Sequence, residues 1–388
     1  MMMDNAVTLF RVAGIPVRVH ASWLVVYGLL AWSLSVGYFP HVLADVAART
    51  YWISGLVAAL LLFVSVLLHE LSHSVVARGH GLPVSAITLH IFGGVSQLER
   101  EPDSPGVEFR VAIAGPLTSF ALGGLALAAA GLAGARPTLA AILRYLGTVN
   151  LVVGAFNLVP GFPLDGGRLL RAALWRAKGN LQWATRVASR AGSAVGVVLM
   201  GLGILRGLTG EFLGGLWLVL IGLFLRQAAE GSYQQVVLRR TLGPLAVRDV
   251  MTTDVIHLRP DLPLAAAVDD YFWRHHVTSF PVLDGGRVLG ILTVHQLGDV
   301  ARDRWATTPV REVMRPLEEA LAAAPGDRLT AALEKLSRNG LGRLAVLDGD
   351  RLVGYLSLKD VLHVLTVSSA GGRPQRPGRR AGVGSTVA

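Results

Sequence analysis

The sequence predicts a polytopic α-helical membrane protein with about six transmembrane helices, followed by a soluble α/β unit. Of the 388 residues, 52% are hydrophobic and 16% are charged, which is too apolar for a soluble protein of this length. Nearly all of the apolar excess lies before residue 230, and beyond it Asp, Arg and His return at the density of a soluble domain. The two halves of the chain are therefore expected to occupy different solvents.

Six apolar segments are candidates to cross a bilayer, which takes about twenty largely apolar residues. None contains Asp, Glu, Lys or Arg, and the last two segments are shorter. The segments are Val19–Ala44, Tyr51–Leu68, Val111–Ala135, Tyr145–Leu164, Ala191–Leu205 and Phe212–Leu225. If alternate connections are cytoplasmic, most arginines lie inside. The positive-inside rule then predicts a cell-membrane protein with both termini and the α/β unit in the cytoplasm.

The formal net charge of +10 does not indicate a nucleic-acid partner. The arginines cluster at the ends of apolar segments and in the last twenty residues, where the lipid bilayer explains them better. Cysteine is absent, so disulfides and a thiol nucleophile are excluded. A bound metal would have to use His and carboxylate ligands.

An internal repeat fills the second half of the chain. Val247–Met251 (VRDVM) recurs as Val310–Met314 (VREVM), and Val282–Gly290 (VLDGGRVLG) recurs as Val346–Gly354 (VLDGDRLVG). In each copy an amphipathic helix precedes two β-rich runs that flank an Asp-Gly turn. Each copy is therefore predicted to fold as helix, strand, turn, strand and helix.

Shifts in composition divide the chain into segments. The membrane domain is expected over residues 1–230, a polar linker over 230–244, and the two repeat copies over 245–305 and 308–366. Residues 368–388 contain Gly, Pro, Ser and Arg without periodicity, which predicts a disordered basic tail.

A histidine pair ends the second apolar segment. The sequence HELSH places His69 and His73 on one face of a helix with Glu70 beside them. Two imidazoles at this spacing can bind one zinc ion, and Glu70 could act as a general base. Ionisable groups at membrane depth are costly, which favours a functional role over a helix end where the histidines only meet the interface.

A third metal ligand is expected elsewhere in the membrane half, because catalytic zinc usually has three protein ligands and one open position. Asp165 is the best-placed carboxylate. It lies in the segment Asn157–Gly167 (NLVPGFPLDGG), whose prolines and glycines give an irregular backbone. Such backbone is tolerated at membrane depth only against protein or a watery cavity. The alternative is that Asp165 is a turn residue that opens the next cytoplasmic loop.

The HELSH and NLVPGFPLDGG motifs together resemble those of the site-2 protease family of intramembrane zinc metalloproteases, over roughly residues 10–230. The resemblance implies one zinc ion per chain, with His69, His73 and Asp165 as its ligands. It also implies that Glu70 is the catalytic residue.

The same resemblance implies a substrate-binding region. Asn157 would hold the substrate or polarise its carbonyl group. A re-entrant hairpin of the family is similar to Ile87–Gln97 (ITLHIFGGVSQ), which contains Gly93 and Gly94. Its edge could receive an unwound substrate helix as an added strand. One departure is the segment Ala114–Ser119 (AGPLTS), where many members have Asn after the Gly-Pro pair.

Each repeat copy resembles a cystathionine-β-synthase (CBS) domain, and the resemblance covers about residues 245–366. It implies an adenine nucleotide in a cleft shaped by Ser357 and Asp360 in the second copy and by Thr293 in the first. Gln296 replaces the Asp in the first copy and cannot offer ribose the same charged acceptor pair, so one nucleotide site is expected rather than two. The alternative is a dimerisation module without a ligand.

These features predict an intramembrane zinc metalloendopeptidase that performs regulated proteolysis of single-span membrane proteins, such as membrane-bound transcription regulators or anti-sigma factors. The CBS pair would sense an adenine nucleotide and could form a homodimer. One alternative is a nucleotide-regulated transporter or channel, because intramembrane charges can line an ion path. Another is an inactive relative that binds membrane helices without cutting them, but the retained Glu70 argues against it.

Overall fold

The computed structural model describes residues 6–90, 93–98 and 100–369. The chain divides into two compact units, Met1–Gln234 and Gln235–Ala388. Most of the predicted tail, residues 370–388, lies outside the described residues, as do Ile91 and Phe92 of the predicted hairpin.

Among the described residues between 21 and 242, eight helices follow one another. They are α1 (Ala21–Ser33), α2 (Phe39–Val42), α3 (Ala48–Gly79), α4 (Pro105–Leu132), α5 (Pro137–Asn157), α6 (Asp165–Lys178), α7 (Leu181–Leu208) and α8 (Phe212–Leu242). A π-helical turn, Leu34–Tyr38, joins α1 to α2. In the part of the chain that the structure describes, six segments could span a membrane by length and composition: α1 with α2, α3, α4, α5, α7 and α8. The six predicted spans are thereby confirmed.

The outer faces of these helices are apolar. Leu125 of α4 and Leu213 of α8 are 68% and 80% exposed, and many other large apolar side chains are also exposed. Exposed apolar side chains in this number are a liability in water, whereas lipid tails solvate them. Exposed leucines are therefore the expected outer surface of a membrane domain.

Glycines bring neighbouring helices close together. Gly196 and Gly203 of α7 face Gly222 and Gly215 of α8, and a Cβ added to any of the four would meet the facing carbonyl oxygen. Without a hydrophobic effect between helices in lipid, such close backbone approach is a main source of helix association. The last two spans, which looked short in the sequence, form a tightly packed hairpin.

A four-stranded sheet accompanies the helices of the first unit. Its strands, in the order β1-β2-β3-β4, are Ala6–Val12, Ile15–His20, Val84–His90 and Gly93–Leu98. The β3–β4 hairpin is antiparallel and the β2–β3 pairing is parallel. The hairpin was expected from the sequence, but the β1–β2 hairpin was not. Strand β4 lies at one edge of the sheet.

The second unit contains a mixed sheet in the order β5-β6-β10-β9-β8, with β7 paired to β6. The strands are β5 (Ser279–Asp284), β6 (Arg287–Thr293), β7 (Arg315–Pro316), β8 (Ala322–Ala323), β9 (Arg343–Asp348) and β10 (Arg351–Ser357). The helices are α9 (Leu264–Ala267), α10 (Trp273–His275), α11 (Val294–Leu297), α12 (Val310–Val313), α13 (Leu329–Arg338) and α14 (Leu358–Ser369).

Both predicted Asp-Gly turns connect antiparallel strands in the second unit. Asp284 pairs with Arg287 across the first turn, and Asp348 pairs with Arg351 across the second. Gly349 adopts a φ of 60°, a conformation that glycine reaches at little cost and that two-residue hairpin loops require. The repeat therefore folds as the sequence predicted.

Two boundaries differ from the sequence prediction. The polar linker expected over 230–244 is helical for most of its length, because α8 continues to Leu242 and ends only where Gly243 and Pro244 follow. The fourth span was expected to reach Leu164, but α5 ends at Asn157, since the prolines in the next segment cannot donate helical hydrogen bonds.

Candidate metal centre

Helix α3 places the two predicted histidines one turn apart on the same face. His69 and His73 are buried, and their Nε2 atoms lie 3.2 Å apart. The two rings meet edge to face, with an interplanar angle of 78°. Both Nε2 atoms therefore point to a common position.

Asp165 reaches this position from the first residue of α6. Its Oδ2 atom lies 3.1 Å from the Nε2 atoms of both His69 and His73. The loop before α6 is held close by glycines: a Cβ on Gly166 would overlap the carbonyl oxygen of Leu158. Only glycine permits this approach, so the sequence of the loop fixes where α6 begins and where its first carboxylate lies.

The three atoms form a nearly equilateral triangle with sides of 3.1–3.2 Å. Ligand atoms around a tetrahedral zinc ion, at bond lengths of about 2.0–2.1 Å, lie about 3.3 Å apart. In the described part of the chain, no other His, Asp or Glu residues form a group of three with this spacing. The donor set therefore fits a zinc ion with one open position.

The outer nitrogen of His73 supports the same conclusion. Its Nδ1 atom lies 2.6 Å from the carbonyl oxygen of Val111, which can only accept a hydrogen bond. In a neutral imidazole the proton must then lie on Nδ1, so Nε2 carries a lone pair. This lone pair faces the Asp165 carboxylate, another acceptor, and a cation between them would remove the repulsion.

Helix α4 forms a wall of the site that the sequence analysis did not assign. The Ser119 hydroxyl lies 2.8 Å from Nδ1 of His69 and orients that ring. Between Ser119 and Val111, a Cβ on Gly115 would overlap His73. The positions 111, 115 and 119 recur every four residues, so they share one helix face. This four-residue spacing was the sequence signal that could have identified the wall of the site.

Glu70 lies beside the sheet. A Cβ added to Gly94 would be 2.6 Å from Cγ of Glu70, so β4 passes close to this side chain at Gly94. Gly93 begins β4 and pairs with His90 across the hairpin. Asn157 is half-buried at the end of α5, where the loop toward Asp165 starts. The structure thus brings Gly94 close to Glu70 and places Asn157 at the start of the loop that leads to Asp165.

A buried ion pair connects α6 to α4. Nε of Arg171 lies 2.6 Å from Oε1 of Glu108, and its Nη2 contacts the same oxygen. The guanidinium group also lies 5.2 Å from the ring centroid of Phe162, in the loop before Asp165. One side chain therefore joins the loop and both helices. Sequence reasoning missed the pair because its members are 63 residues apart.

The second unit has a cavity of about 760 Å³ between the repeat copies. Its lining includes Ser279, Arg343, Tyr355, Ser357, Asp360 and His363. Ser357 donates to Oδ2 of Asp360 from its backbone N–H at 2.8 Å and its hydroxyl at 2.6 Å. Burial raises the pKa of Tyr355 to about 12, so its hydroxyl stays protonated at neutral pH and donates to Ser279.

Thr293 and Gln296 of the first repeat copy have the same local geometry as Ser357 and Asp360 of the second. Oε1 of Gln296 accepts from the backbone N–H of Thr293 at 2.7 Å and from its hydroxyl at 3.1 Å. Neither residue lines the 760 Å³ cavity. The predicted residues Ser357 and Asp360 therefore share one cavity, whereas Thr293 lies outside it.

Comparisons with known proteins agree with this architecture. The model of Peptidase family M50 matches residues 57–135 and 133–200, and the CBS domain model matches 247–299 and 310–367. The chain is 39% identical over 376 residues to the Mycobacterium tuberculosis protein named "Putative zinc metalloprotease Rip3", and the match covers 94% of each chain. The chain belongs to peptidase family M50.

Other proteins similar to this chain are also named as proteases. "Zinc metalloprotease MJ0392" of Methanocaldococcus jannaschii is 28% identical over 365 residues, which cover 94% of this chain and 97% of that protein. A solved structure titled "Site-2 Protease from Methanocaldococcus jannaschii" is 31% identical, covers 59% of this chain and 95% of that chain, and has a TM-score of 0.41. This M50 peptidase is a multi-pass membrane zinc metalloprotease with two CBS domains. The family membership disfavours the transporter or channel alternative.

Proposed function

We propose that this M50 peptidase is an intramembrane endopeptidase that cuts single-span membrane proteins, such as membrane-bound transcription regulators or anti-sigma factors. The observation that carries the proposal is the triangle of His69, His73 and Asp165 inside a unit of six spanning helices. In this proposal the three side chains hold one zinc ion per chain and leave one position open.

Glu70 is the general base and acid of the proposed reaction. When bound, zinc would polarise the scissile carbonyl group and lower the pKa of the attacking water. Glu70, the neighbour of His69, would take a proton from that water and deliver it to the leaving amine. Hydrolysis would then proceed without a covalent intermediate on the protein.

The substrate would bind along β4. A helical peptide bond is hydrogen-bonded and shielded, so the substrate helix must open before water can attack. Strand β4 lies at a sheet edge and runs beside Glu70, so an opened segment could pair with its backbone as a fifth strand. Gly93 and Gly94 would allow close approach, and Asn157 would hold the substrate or polarise its carbonyl group.

The CBS pair would regulate this activity. The cavity with Ser357 and Asp360 would bind one adenine nucleotide, in which the carboxylate meets the ribose hydroxyls, and Thr293 would belong to a weaker or unused copy of the site. The nucleotide can act on the protease only through different affinities for two arrangements of the chain. We further propose that both termini and the CBS domains are cytoplasmic and that the CBS pair mediates a homodimer.

Cleavage of a single-span model substrate by the detergent-purified chain tests the assigned roles. Glu70→Gln should abolish cleavage and retain zinc, because the amide cannot accept the proton of the attacking water. Asp165→Ala should lose both cleavage and most of the zinc, because it removes one of three ligands. Bound zinc is measured by atomic absorption.

A matched control is Glu211→Gln, which removes an exposed carboxylate between α7 and α8 and should preserve cleavage and zinc content. If the native chain held no zinc, or if Glu70→Gln cleaved as fast as the native chain, the proposed mechanism would be wrong. The second result would also leave Glu70 without a catalytic role.

A further inference from the structure

A polar pocket of about 550 Å³ opens between α7 and α8. Its lining includes Arg186, Ser189, Arg190 and Ser193 of α7 and Glu230 and Tyr233 of α8. None of these residues belongs to the proposed zinc or nucleotide sites. The pocket therefore needs an explanation of its own.

The pocket carries a net positive charge. Arg190 makes no ion pair with the residues that the structure describes. Arg186 donates to the Tyr233 hydroxyl oxygen from Nε at 3.0 Å and from Nη2 at 2.8 Å, which leaves the tyrosine O–H free to donate. The Glu230 carboxylate is already engaged by Nε of Arg226 at 3.1 Å. The unpaired positive charge suits an anion.

A buried hydroxyl points to the same conclusion. Ser189 is 6% exposed, and its Oγ has no hydrogen-bond partner in the described part of the chain. Buried polar atoms nearly always have a partner. Ser189 lines the pocket, so an acceptor oxygen of a ligand there would supply a partner once the hydroxyl group rotates toward it.

The depth of the pocket identifies where the anion would come from. Arg190 lies eighteen residues before Leu208, the end of α7, and Glu230 lies eighteen residues after Phe212, the start of α8. At 1.5 Å per residue both lie about 27 Å from the α7–α8 turn. The hydrocarbon core is about 30 Å thick, so the pocket lies at headgroup level on the side opposite that turn.

We propose that this pocket binds the phosphate group of an anionic phospholipid. Two guanidinium groups and a tyrosine O–H match phosphate oxygens. Basic pockets between transmembrane helices at headgroup level are suited to anionic lipids. A free phosphate ion has the same chemistry, but at this depth the phosphates of the bilayer are present at far higher local concentration.

Native mass spectrometry of the full chain in mild detergent tests the proposal. The native chain should retain one phosphatidylglycerol molecule, and the double variant Arg186→Gln/Arg190→Gln should bind it at least about tenfold more weakly. The matched control Arg239→Gln/Arg240→Gln removes the same charge from α8 outside the pocket and should bind within about twofold of the native chain. Arg186→Lys/Arg190→Lys should keep most of the binding.

Three results would overturn the assignment. Equal phosphatidylglycerol retention by the glutamine variant, with an unchanged unfolding temperature, would show that the pocket is not the site. If the native chain retained zwitterionic phosphatidylcholine as well as phosphatidylglycerol, a net negative charge on the lipid would not be required for binding. Binding of inorganic phosphate as tight as that of phosphatidylglycerol would reject the lipid and assign the site to the free ion.

Discussion

At the scale of single residues, the proposed zinc site depends on a position that has no side chain. Gly115 lies where α4 passes the two imidazole rings, and its neighbours one turn away, Val111 and Ser119, hold the outer nitrogens of His73 and His69. The backbone carbonyl and the hydroxyl can orient the rings only if the helix comes this close. The ligand geometry is therefore set partly by α4.

Gly115→Ala should lower zinc affinity by about 100-fold, the upper range for changes that disturb ligand orientation. The added methyl group would overlap His73 and lie 2.5 Å from Nε2 of His69, so at least one ring must turn away. Zinc affinity is measured by competition with a chelator. Gly124→Ala on the same helix is the control, because its Cβ would meet nothing within 4 Å. Equal affinities of both variants would refute the role of Gly115.

Arg171→Met should destabilise the membrane domain by about 3 kcal/mol, because it leaves the fully buried Glu108 carboxylate without its partner. The double variant Glu108→Gln/Arg171→Met should recover part of this loss, since the uncompensated charge is then gone. Thermal unfolding in detergent measures both. Arg176→Met, an exposed change on α6, should have little effect, and a similar loss there would argue against the buried pair.

At the scale of elements, two short segments position residues of the proposed site. The loop between α5 and α6 delivers Asp165 to the histidines, and the β3–β4 hairpin delivers Gly94 to Glu70. Both are irregular or extended backbone beside long helices. In a membrane such backbone survives only where protein or water satisfies its polar groups, which is why both segments lie against α3 or its ligands.

The junction of β10 and α14 should determine nucleotide affinity. Asp360→Asn is expected to weaken binding of adenosine monophosphate by about tenfold, because hydrogen bonds to a charged acceptor are stronger than those to a neutral one. Titration calorimetry on the full chain measures it. The matched change in the first copy, Gln296→Glu, should leave affinity unchanged, since Gln296 does not line the cavity. If Asp360→Asn and Gln296→Glu changed the nucleotide affinity by the same factor, the prediction of a single site would be wrong.

At the scale of the whole molecule, the chain combines a unit built for lipid with a unit built for water. The first unit exposes leucines and packs its helices through glycines, and the second buries leucines such as Leu258, Leu329 and Leu344 in ordinary cores. The first unit has buried leucines as well, such as Leu34 and Leu146. Its outer leucines need no burial, because the hydrophobic effect drives burial only where the surrounding solvent is water.

The sequence by itself determined which part of the chain lies in lipid and which in water. It also determined the six spans, the repeat with its Asp-Gly turns, and the HELSH helix. Each of these features depends on local composition or on spacing within one element. The sequence also suggested Asp165, but only through its motif. The ends of α5 and α8 were misplaced, since apolar or polar composition does not fix where a helix stops until a proline forbids the next hydrogen bond.

Only the tertiary structure decided which distant groups meet. The triangle of His69, His73 and Asp165 spans 96 residues of sequence, and the Arg171–Glu108 pair spans 63. The support from Ser119 and the basic pocket at Arg186 and Arg190 likewise depend on how helices pack. A sequence records the chemistry of each side chain. The partners of a side chain are set by long-range packing, and no local pattern along the chain indicates which distant residues will meet.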